Sequence, residues 1–440
     1  MSAANGNGSG SNSGSTITEK ILARAAGQDR VRPGDLIMAK VSLAMANDVT
    51  APMAVDAFRK IGVPTVWDRH RVALVPSHFV PAKDIASASL GQRMRTFARE
   101  QEITYFFEVG RAGIEHILLP EEGLVAPGDV IIGADSHSCT YGALGCFSTG
   151  VGSTDLAGVL ATGEIWLRVP ETIRIIYSGE PGRWVVGKDM ILKVISEIGD
   201  DGALYMAMEH TGDTIAKLSM ESRLTLTNMA IEAGAKSGIV PPDDLTVDYV
   251  RHRQEVHGRQ REFPMLTSDP DAVYARTLSI DVGALEPMVA QPSLPSRAVP
   301  VSEVEGQEVD QVFIGSCTNA RMEDLRTAAG IIDGHKVHPR IRLIVIPATQ
   351  DLYQQALREG LIQIFADAGA SVAAGVCGPC LGGYMGVLGP GERCLSTSNR
   401  NYRGRMGHRD ADVWLANPAV AAATAITGRI THPENVGVPG

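Results

Sequence analysis

The last third of the chain is organised around residues 309–332, which read VDQVFIGSCTNARMEDLRTAAGII. The first six of these residues predict a strand, and residues 321–332 predict a helix with acidic residues in its first turn. Further strands are predicted at 341–346 and 371–376, and further helices at 351–359 and 361–368. Strands separated by helices predict an α/β fold with a parallel sheet and right-handed crossovers.

The first part of the chain shows a similar alternation. Residues 129–134 (DVIIGA) predict a buried strand and residues 153–169 predict a helix with an N-terminal serine cap. The segment between them, DSHSCTYGALGCFSTGVG at 135–152, is too rich in glycine for either. A strand, a glycine-rich loop and a helix in succession are how α/β proteins build ligand sites.

The middle region mixes predicted strands with predicted helices, the strands at 171–177 and 245–250 and the helices at 188–198 and 226–235. It ends in the proline-rich stretch EPMVAQPSLPSRAVP at 286–300, which is typical of a linker. The sequence therefore predicts a flexible tail at 1–15 and three α/β domains, at 16–170, 171–300 and 301–440.

Composition excludes several classes of protein. The formal net charge is −10 and no block of Lys and Arg occurs, which argues against nucleic-acid binding. A run of about 18 apolar residues is absent, so a membrane span is not expected. The first fifteen residues, MSAANGNGSGSNSGS, lack the basic and apolar segments of a secretory signal and predict a tail on a cytoplasmic protein.

Six cysteines in a chain of this length are too sparse for a disulfide framework. Cys317 lies in GSCTN, and Cys377 and Cys380 lie in GVCGPCLGG, each motif just past a predicted strand. A CxxC pair alone is also compatible with a redox pair, half a zinc site or chance. Three thiolates in glycine-rich loops suit a [4Fe–4S] cluster with one iron free of protein sulfur, which can act as a Lewis acid. The other three cysteines are expected to be ordinary buried groups: Cys139, Cys146 and Cys394.

Five segments resemble signature segments of the aconitase superfamily of iron–sulfur hydro-lyases, and they run in the family's order. They are FIGSCTNARMEDLRTAAGII, GVCGPCLGG, GADSHSCTYGALG, LTNMAIEAGAK and STSNRNYRGRMG. The resemblance covers the chain from about residue 16 onward and implies an α/β, three-domain, aconitase-like large subunit with parallel sheets around a [4Fe–4S] cluster, lacking the swivel domain. It implies that Cys317, Cys377 and Cys380 hold the cluster and that water is removed from a hydroxy-carboxylate and added back.

The resemblance also implies roles for residues that look ordinary by themselves. Asn228 and Glu232, at i and i+4, would otherwise be a solvated helix face. The match places Glu232 near the oxygen bound at the open iron and makes Arg400 and Arg405 carboxylate contacts. The implied catalytic residues are His78, His116, Asp135, Ser136, His137 and Glu232. The implied substrate contacts are Asn47, with Asp48 beside it, Asn228, Asn399, Arg400 and Arg405.

One position departs from the family pattern. The family has an Asp-His pair where this chain reads VPSHFVPAKD at 75–84, so His78 is kept and Ser77 replaces the aspartate. A carboxylate there would orient the imidazole and raise its pKa toward the cation that protonates a departing hydroxyl. Since Ser77 supplies no charge, we expect His78 to act as the acid with weaker support, or the substrate to differ.

A second departure concerns the catalytic base. Single-chain members of the family carry a fourth domain with the serine that removes the substrate proton, and this sequence ends at GRITHPENVGVPG without such a region. The resemblance to the two-subunit isopropylmalate dehydratases implies a separate small subunit that carries this swivel domain, in a heterodimer or heterotetramer.

The resemblance implies a small di- or tricarboxylate substrate. The leading prediction is the interconversion of 2-isopropylmalate and 3-isopropylmalate in leucine synthesis. Homocitrate, methylmalate and dimethylmalate are alternative substrates for the same chemistry. A metal-stabilised structural protein or an RNA-binding protein is the alternative of another class, although an acidic chain without a basic stripe gives RNA binding no support.

Overall fold

A computed structural model describes residues 13–437 of the chain. Most of the predicted tail lies outside these residues; within its last three, the backbone N–H groups of Gly14 and Ser15 donate to Asp271 and Asp269. In the described range, none of the helices combines the length and the apolar character that a membrane crossing requires.

Eighteen strands and thirteen α-helices lie within residues 13–437. The strands are β1 Leu36–Lys40, β2 Leu43–Asn47, β3 Val72–Val75, β4 Tyr105–Phe106, β5 Val130–Gly133, β6 Phe147–Gly150, β7 Glu164–Arg168, β8 Thr172–Ser178, β9 Ala207–Thr211, β10 Ser237–Ile239, β11 Arg276–Asp281, β12 Met288–Ala290, β13 Ala298–Pro300, β14 Gln311–Ile314, β15 Arg342–Val345, β16 Ser371–Val372, β17 Arg393–Ser396 and β18 Asp412–Leu415. The helices are α1 Ile17–Ala26, α2 Ala51–Ile61, α3 Ile85–Glu100, α4 Glu115–Glu121, α5 Ser153–Thr162, α6 Gly187–Ile198, α7 Asp213–Lys217, α8 Met220–Asn228, α9 Asp244–Val256, α10 Met322–Ile332, α11 Gln350–Arg358, α12 Leu361–Ala368 and α13 Pro418–Thr427. Three of the 3-10 helices carry predicted site residues: Ser136–Leu144, Met229–Ala233 and Gly378–Leu381.

The first large sheet has five strands in the order β4-β3-β2-β5-β6, and every neighbouring pair is parallel. Its three central strands, β3, β2 and β5, are almost entirely apolar and buried on both faces, as expected for a parallel sheet covered by helices. Asn47 ends β2, and the segments that carry His78 and Asp135 follow β3 and β5. The carboxyl edge of this sheet therefore presents several predicted site residues together.

The two other large sheets are also built largely from parallel strands. The second is a parallel sheet in the order β10-β9-β8-β11. The third has seven strands in the order β13-β12-β18-β17-β14-β15-β16, of which β18 to β16 are parallel. The predicted α/β fold with parallel sheets is confirmed. Strands β12 and β13 lie within residues 286–300, so the predicted linker is instead part of the third sheet. The domain boundaries stay a prediction.

Two elements differ from the sequence prediction. The predicted strand at 245–250 is part of α9, because the side chain of Asp243 caps the helix by accepting the backbone N–H of Thr246. The predicted helix at 153–169 ends at Thr162, where Gly163 adopts a left-handed φ of 75° and the chain continues as β7. In both segments the apolar spacing fitted either type of element, and capping residues decided the outcome.

Helix α8 is held to α9 by a buried cation. Arg223 has no exposed side-chain surface and donates two hydrogen bonds to the carboxylate of Asp243, at 2.7 and 2.6 Å. Asp243 also caps α9. Since α8 ends at Asn228, this ion pair fixes the helix that delivers one of the predicted site residues.

We predict that Asp243→Ala lowers the free energy of unfolding by about 3 kcal/mol, because it removes both the carboxylate partner of the buried Arg223 guanidinium and the N-cap of α9. The measurement is denaturant unfolding of the isolated chain. The control is Glu100→Ala, which removes the exposed partner of Arg59 and should cost under about 1 kcal/mol. Equal effects of the two substitutions would contradict the role of the buried pair.

Candidate active site

The three predicted cluster cysteines lie on two loops at the carboxyl edge of the seven-stranded sheet. Cys317 comes just after Ile314, the last residue of β14, and Cys377 and Cys380 come after Val372, the last residue of β16. All three are free thiols with at most 7% of their surface exposed. The predicted placement of both loops on one sheet edge is confirmed.

Two amide side chains contact the Cys317 sulfur. Asn228 and Asn399 each donate a hydrogen bond from Nδ2 to Sγ, and both distances are 3.2 Å. Asn399 also lies 3.2 Å from Asn228 Oδ1, and its own Oδ1 is 3.9 Å from the Cys380 sulfur. Donors directed at a sulfur favour its negatively charged form. The surroundings of Cys317 therefore suit a thiolate.

Without a metal, however, burial disfavours the thiolate form of these cysteines. Burial raises the pKa of Cys317 well above 9.0, and its neighbours Cys380 and Cys377 raise it further. Burial likewise raises the pKa of Cys377 to about 12, although His78 acts in the opposite direction. A metal ion is the partner that stabilises buried thiolates. Three sulfurs, with no fourth cysteine on these two loops among the described residues, match the donor set of a cluster with one open iron better than a closed zinc site.

His78 is held from one side by two polar groups. Its Nδ1 lies 2.8 Å from Ser77 Oγ and 3.6 Å from Asp48 Oδ1. The Asp48 carboxylate also accepts the backbone N–H groups of Ser77, His78 and Phe79 at 2.7 to 2.9 Å. Asp48 thus holds the turn at residues 77–79, which carries His78, through three backbone hydrogen bonds.

The charges around His78 favour its cationic form. Burial lowers the pKa of His78, but Cys377, Asp48 and Glu115 outweigh that effect and raise it well above 6.5. Burial raises the pKa of Asp48. The contacts with His78 and with the backbone N–H groups outweigh burial, and they lower the pKa to about 2. Asp48 therefore supplies the carboxylate that the sequence lacks at position 77.

Glu115 is a central residue that the sequence prediction missed. Its Oε1 accepts a hydrogen bond from Asn47 Nδ2 at 2.9 Å, and it shares two groups of candidate metal ligands, one with His78 and Cys377 and one with His116 and Asp135, each spanning at most 4.8 Å. Its Oε2 is buried without a hydrogen-bond partner among the described residues. The available signal was a charged residue in the apolar segment GIEHILL.

Two histidine–carboxylate pairs line the next part of the site. His116 Nε2 lies 2.7 Å from Asp135 Oδ1, and His137 Nε2 lies 3.0 Å from Glu232 Oε1. Burial raises the pKa of Asp135, but both histidines outweigh it and hold that pKa well below 3.8. Ser136 lies 3.4 Å from His137 Nδ1. Each imidazole is thereby oriented by an ionised carboxylate.

Two arginines lie beside these residues. Arg400 donates from Nε to Glu232 Oε1 at 2.8 Å, and within the described residues its two Nη groups make no hydrogen bond. Arg405 Nη2 lies 3.9 Å from the Cys380 sulfur. A partly buried guanidinium with free Nη groups is suited to bind a carboxylate with two hydrogen bonds.

The structure brings the predicted residues of all three regions together, and it corrects one local detail. Helix α8 ends at Asn228 and Glu232 lies in the 3-10 helix Met229–Ala233, so the two are not on one α-helical face. They nevertheless both reach the site, Asn228 at Cys317 and Glu232 at His137. Tyr141, which was also missed, lies with its hydroxyl 3.3 Å from His116 Nδ1.

Helix α4, which presents Glu115 and His116, is anchored to the loop that follows β15 of the seven-stranded sheet. The backbone N–H of Ile114 donates to the carbonyl of Ala348 at 2.8 Å. At the other end, Glu121 accepts a hydrogen bond from Thr349 Oγ1 at 2.8 Å. Burial raises the pKa of Glu121 from 4.5 to about 7.

Comparison with known proteins gives this geometry a family. The model of the aconitase family (aconitate hydratase) matches residues 19–308 and 302–428. The chain belongs to the aconitase family. Its two matched segments together contain every residue of the site described above.

Similar aconitase-family proteins carry one shared description. The 3-isopropylmalate dehydratase large subunit of Moorella thermoacetica is 60% identical over 96% of this chain and 99% of its own length. Those of Syntrophus aciditrophicus and Aquifex aeolicus are each 58% identical over 96% of this chain, and over 100% and 98% of their own lengths.

Among solved structures, the chain is similar to the crystal structure of Thermococcus kodakaraensis aconitase X (holo form). The match covers 90% of this chain and 93% of that chain at 13% sequence identity, with a TM-score of 0.48.

We predict that Glu121→Gln makes this aconitase-family chain more stable above pH 7. The ionised Glu121 carboxylate is less stable in the folded protein than in the unfolded chain, so its ionisation lowers the free energy of unfolding. This loss is absent below pH 4.5, grows between pH 4.5 and 7, and reaches roughly 3 kcal/mol above pH 7. Glutamine keeps the acceptor for Thr349 and carries no charge. Unfolding of both proteins at pH 5 and pH 8 tests this, and a gain that is equal at the two pH values would contradict it.

Proposed function

We propose that this chain is the large subunit of a 3-isopropylmalate dehydratase, a hydro-lyase that interconverts 2-isopropylmalate and 3-isopropylmalate by removing and re-adding water. The observation that carries the proposal is the identity of 58 to 60% to such subunits along nearly the whole of both chains. The buried three-thiol site with arginines beside it supports the same chemistry. Cytoplasmic location stays an expectation.

Cys317, Cys377 and Cys380 would hold a [4Fe–4S] cluster. Three observations fit this group: three buried free thiols on one sheet edge, amide donors directed at the Cys317 sulfur, and two buried carboxylate oxygens, on Glu115 and Glu232, without partners among the described residues. When bound, such a cluster supplies an open iron that acts as a Lewis acid.

Arg400 and Arg405 would bind the substrate carboxylates. Glu232 holds Arg400 through Nε, which leaves both Nη groups free to form two parallel hydrogen bonds with a carboxylate. The same Glu232 oxygen faces His137, so substrate binding at the arginine and proton position at the histidine are linked through one carboxylate. A substrate with two carboxylates fits this arrangement better than a neutral one.

His78 would give a proton to the departing hydroxyl. Its Nδ1 is engaged by Ser77 and Asp48, so Nε2 carries the proton that can be transferred. Its pKa is raised, which keeps the imidazole cationic and ready to act as a general acid. The pairs of His116 with Asp135 and His137 with Glu232 would orient groups around the same cavity.

The proton from the substrate carbon needs a base, and we propose that a small subunit provides it on a swivel domain. The support is that the relatives are described as large subunits and that this chain spans nearly all of their length. The small subunit would also contribute to the choice among isopropylmalate, homocitrate and the methylmalates, since it would complete the wall of the substrate cavity.

We predict that the chain reconstituted anaerobically with iron and sulfide is inactive alone and gains activity on isopropylmalate when its small subunit is added. Alkene formation is followed by ultraviolet absorbance, with homocitrate, citrate and methylmalate assayed in parallel. Cys317→Ser in the same complex is the control and should abolish turnover. Turnover by the large subunit alone would overturn the two-subunit proposal. Faster turnover of another acid would show that this acid, and not isopropylmalate, is the substrate.

We predict that Asp48→Asn lowers kcat/KM about 100-fold, since general acid catalysis typically contributes about 10²–10⁴. Without the carboxylate the pKa of His78 falls, so the acid is lost at a lower pH and the alkaline limb of the pH–rate profile moves to lower pH. Ser77→Ala removes only a neutral hydrogen bond and serves as the matched control, with a loss of a few-fold. A larger effect of the serine variant would show that position 77 supports His78.

A further inference from the structure

Lys188 is a buried cation that the proposed chemistry does not use. It lies near the start of α6, and its side chain has no exposed surface. Its Nζ donates to the backbone carbonyls of Thr397, at 3.1 Å, and Ser398. It forms no ion pair with a carboxylate of the described residues, so its hydrogen bonds go to main-chain oxygens alone.

The two carbonyls that Lys188 binds belong to the turn immediately before Asn399 and Arg400. Asn399 donates to the Cys317 sulfur, and Arg400 donates to Glu232. The position of this turn therefore decides both a contact to a cluster cysteine and the placement of a substrate-binding guanidinium. Lys188 reaches it from a helix more than two hundred residues earlier in the chain.

The burial of Lys188 is costly for the fold. Removing an ammonium from water without a carboxylate partner is unfavourable, and burial lowers the pKa of Lys188 to about 8. A methionine of similar length fills such a space at no charge cost. Two carbonyl oxygens of a site loop that accept from one cation are the contacts that explain a lysine here.

We propose that Lys188 is a positioning residue of the active site: it fixes the Thr397 and Ser398 carbonyls and thereby sets Asn399 against Cys317 and Arg400 toward the substrate carboxylate. The inference rests on the proposed function for its kinetic part. Its structural part, the contact between the turn and a cluster cysteine, is independent of which acid is the substrate.

The test compares Lys188→Met with the wild-type complex after anaerobic reconstitution with the small subunit. We expect cluster iron per chain to stay equal, KM for isopropylmalate to rise at least tenfold, and kcat per cluster to fall less than KM rises. The electron-resonance signal of the reduced cluster should shift, because hydrogen bonds to the cluster sulfurs tune it. Lys193→Met is the matched control: Lys193 is on the same helix, partly exposed and paired with Glu197, and its variant should match the wild type.

Several outcomes separate the possibilities. Lower thermal stability of Lys188→Met with unchanged KM, kcat and resonance signal would reduce the residue to a structural role and overturn the proposal. If the methionine variant does not fold, Lys188→Gln, which keeps one donor for the turn, is measured by the same criteria. A wild-type complex without isopropylmalate turnover would refute the proposed function, and the resonance signals of the two variants would still decide the role of Lys188.

Discussion

The hydrogen bonds that Asn228 and Asn399 donate to the Cys317 sulfur are the contacts on which the site depends. They join three parts of the chain: the end of α8, the turn after β17, and the loop after β14. A buried sulfur accepts such donors at short range only when all three backbones are held rigidly. The ion pair of Arg223 with Asp243 and the Lys188 contacts supply that rigidity for α8 and for the turn.

Around the sulfurs, the site is an alternating arrangement of acids and bases. Asp48 pairs with His78, Asp135 with His116, and Glu232 with both His137 and Arg400. Each carboxylate is mostly buried, so its negative charge is stable only next to a cation or a hydrogen-bond donor. The arrangement fixes ring orientations and protonation together, which a hydration and dehydration reaction needs at neutral pH.

Sequence and structure agree where local chemistry decides. The parallel alternation of the last third was predicted from the sequence. So were the loops that carry the cysteines, which lie where parallel strands end at one edge of the sheet. They disagree where a pattern has two meanings, as at 245–250, where the Asp243 cap converts an apparent strand into α9. The residues missed, such as Glu115 and Tyr141, have no motif of their own, and only their neighbours in space identify them.

The sequence by itself determined the fold class and the family resemblance, because these depend on residue type and spacing along the chain. It also predicted three cysteines as ligands of a cluster. Only the tertiary structure decided which carboxylate lies beside His78. Asp48 is distant from it in sequence and reaches it because β2 and β3 are adjacent parallel strands whose carboxyl ends meet. The same is true of Lys188 and the turn before Asn399. Such contacts arise when sheets and helices pack, and a pattern along the sequence does not specify which distant residues lie close in space.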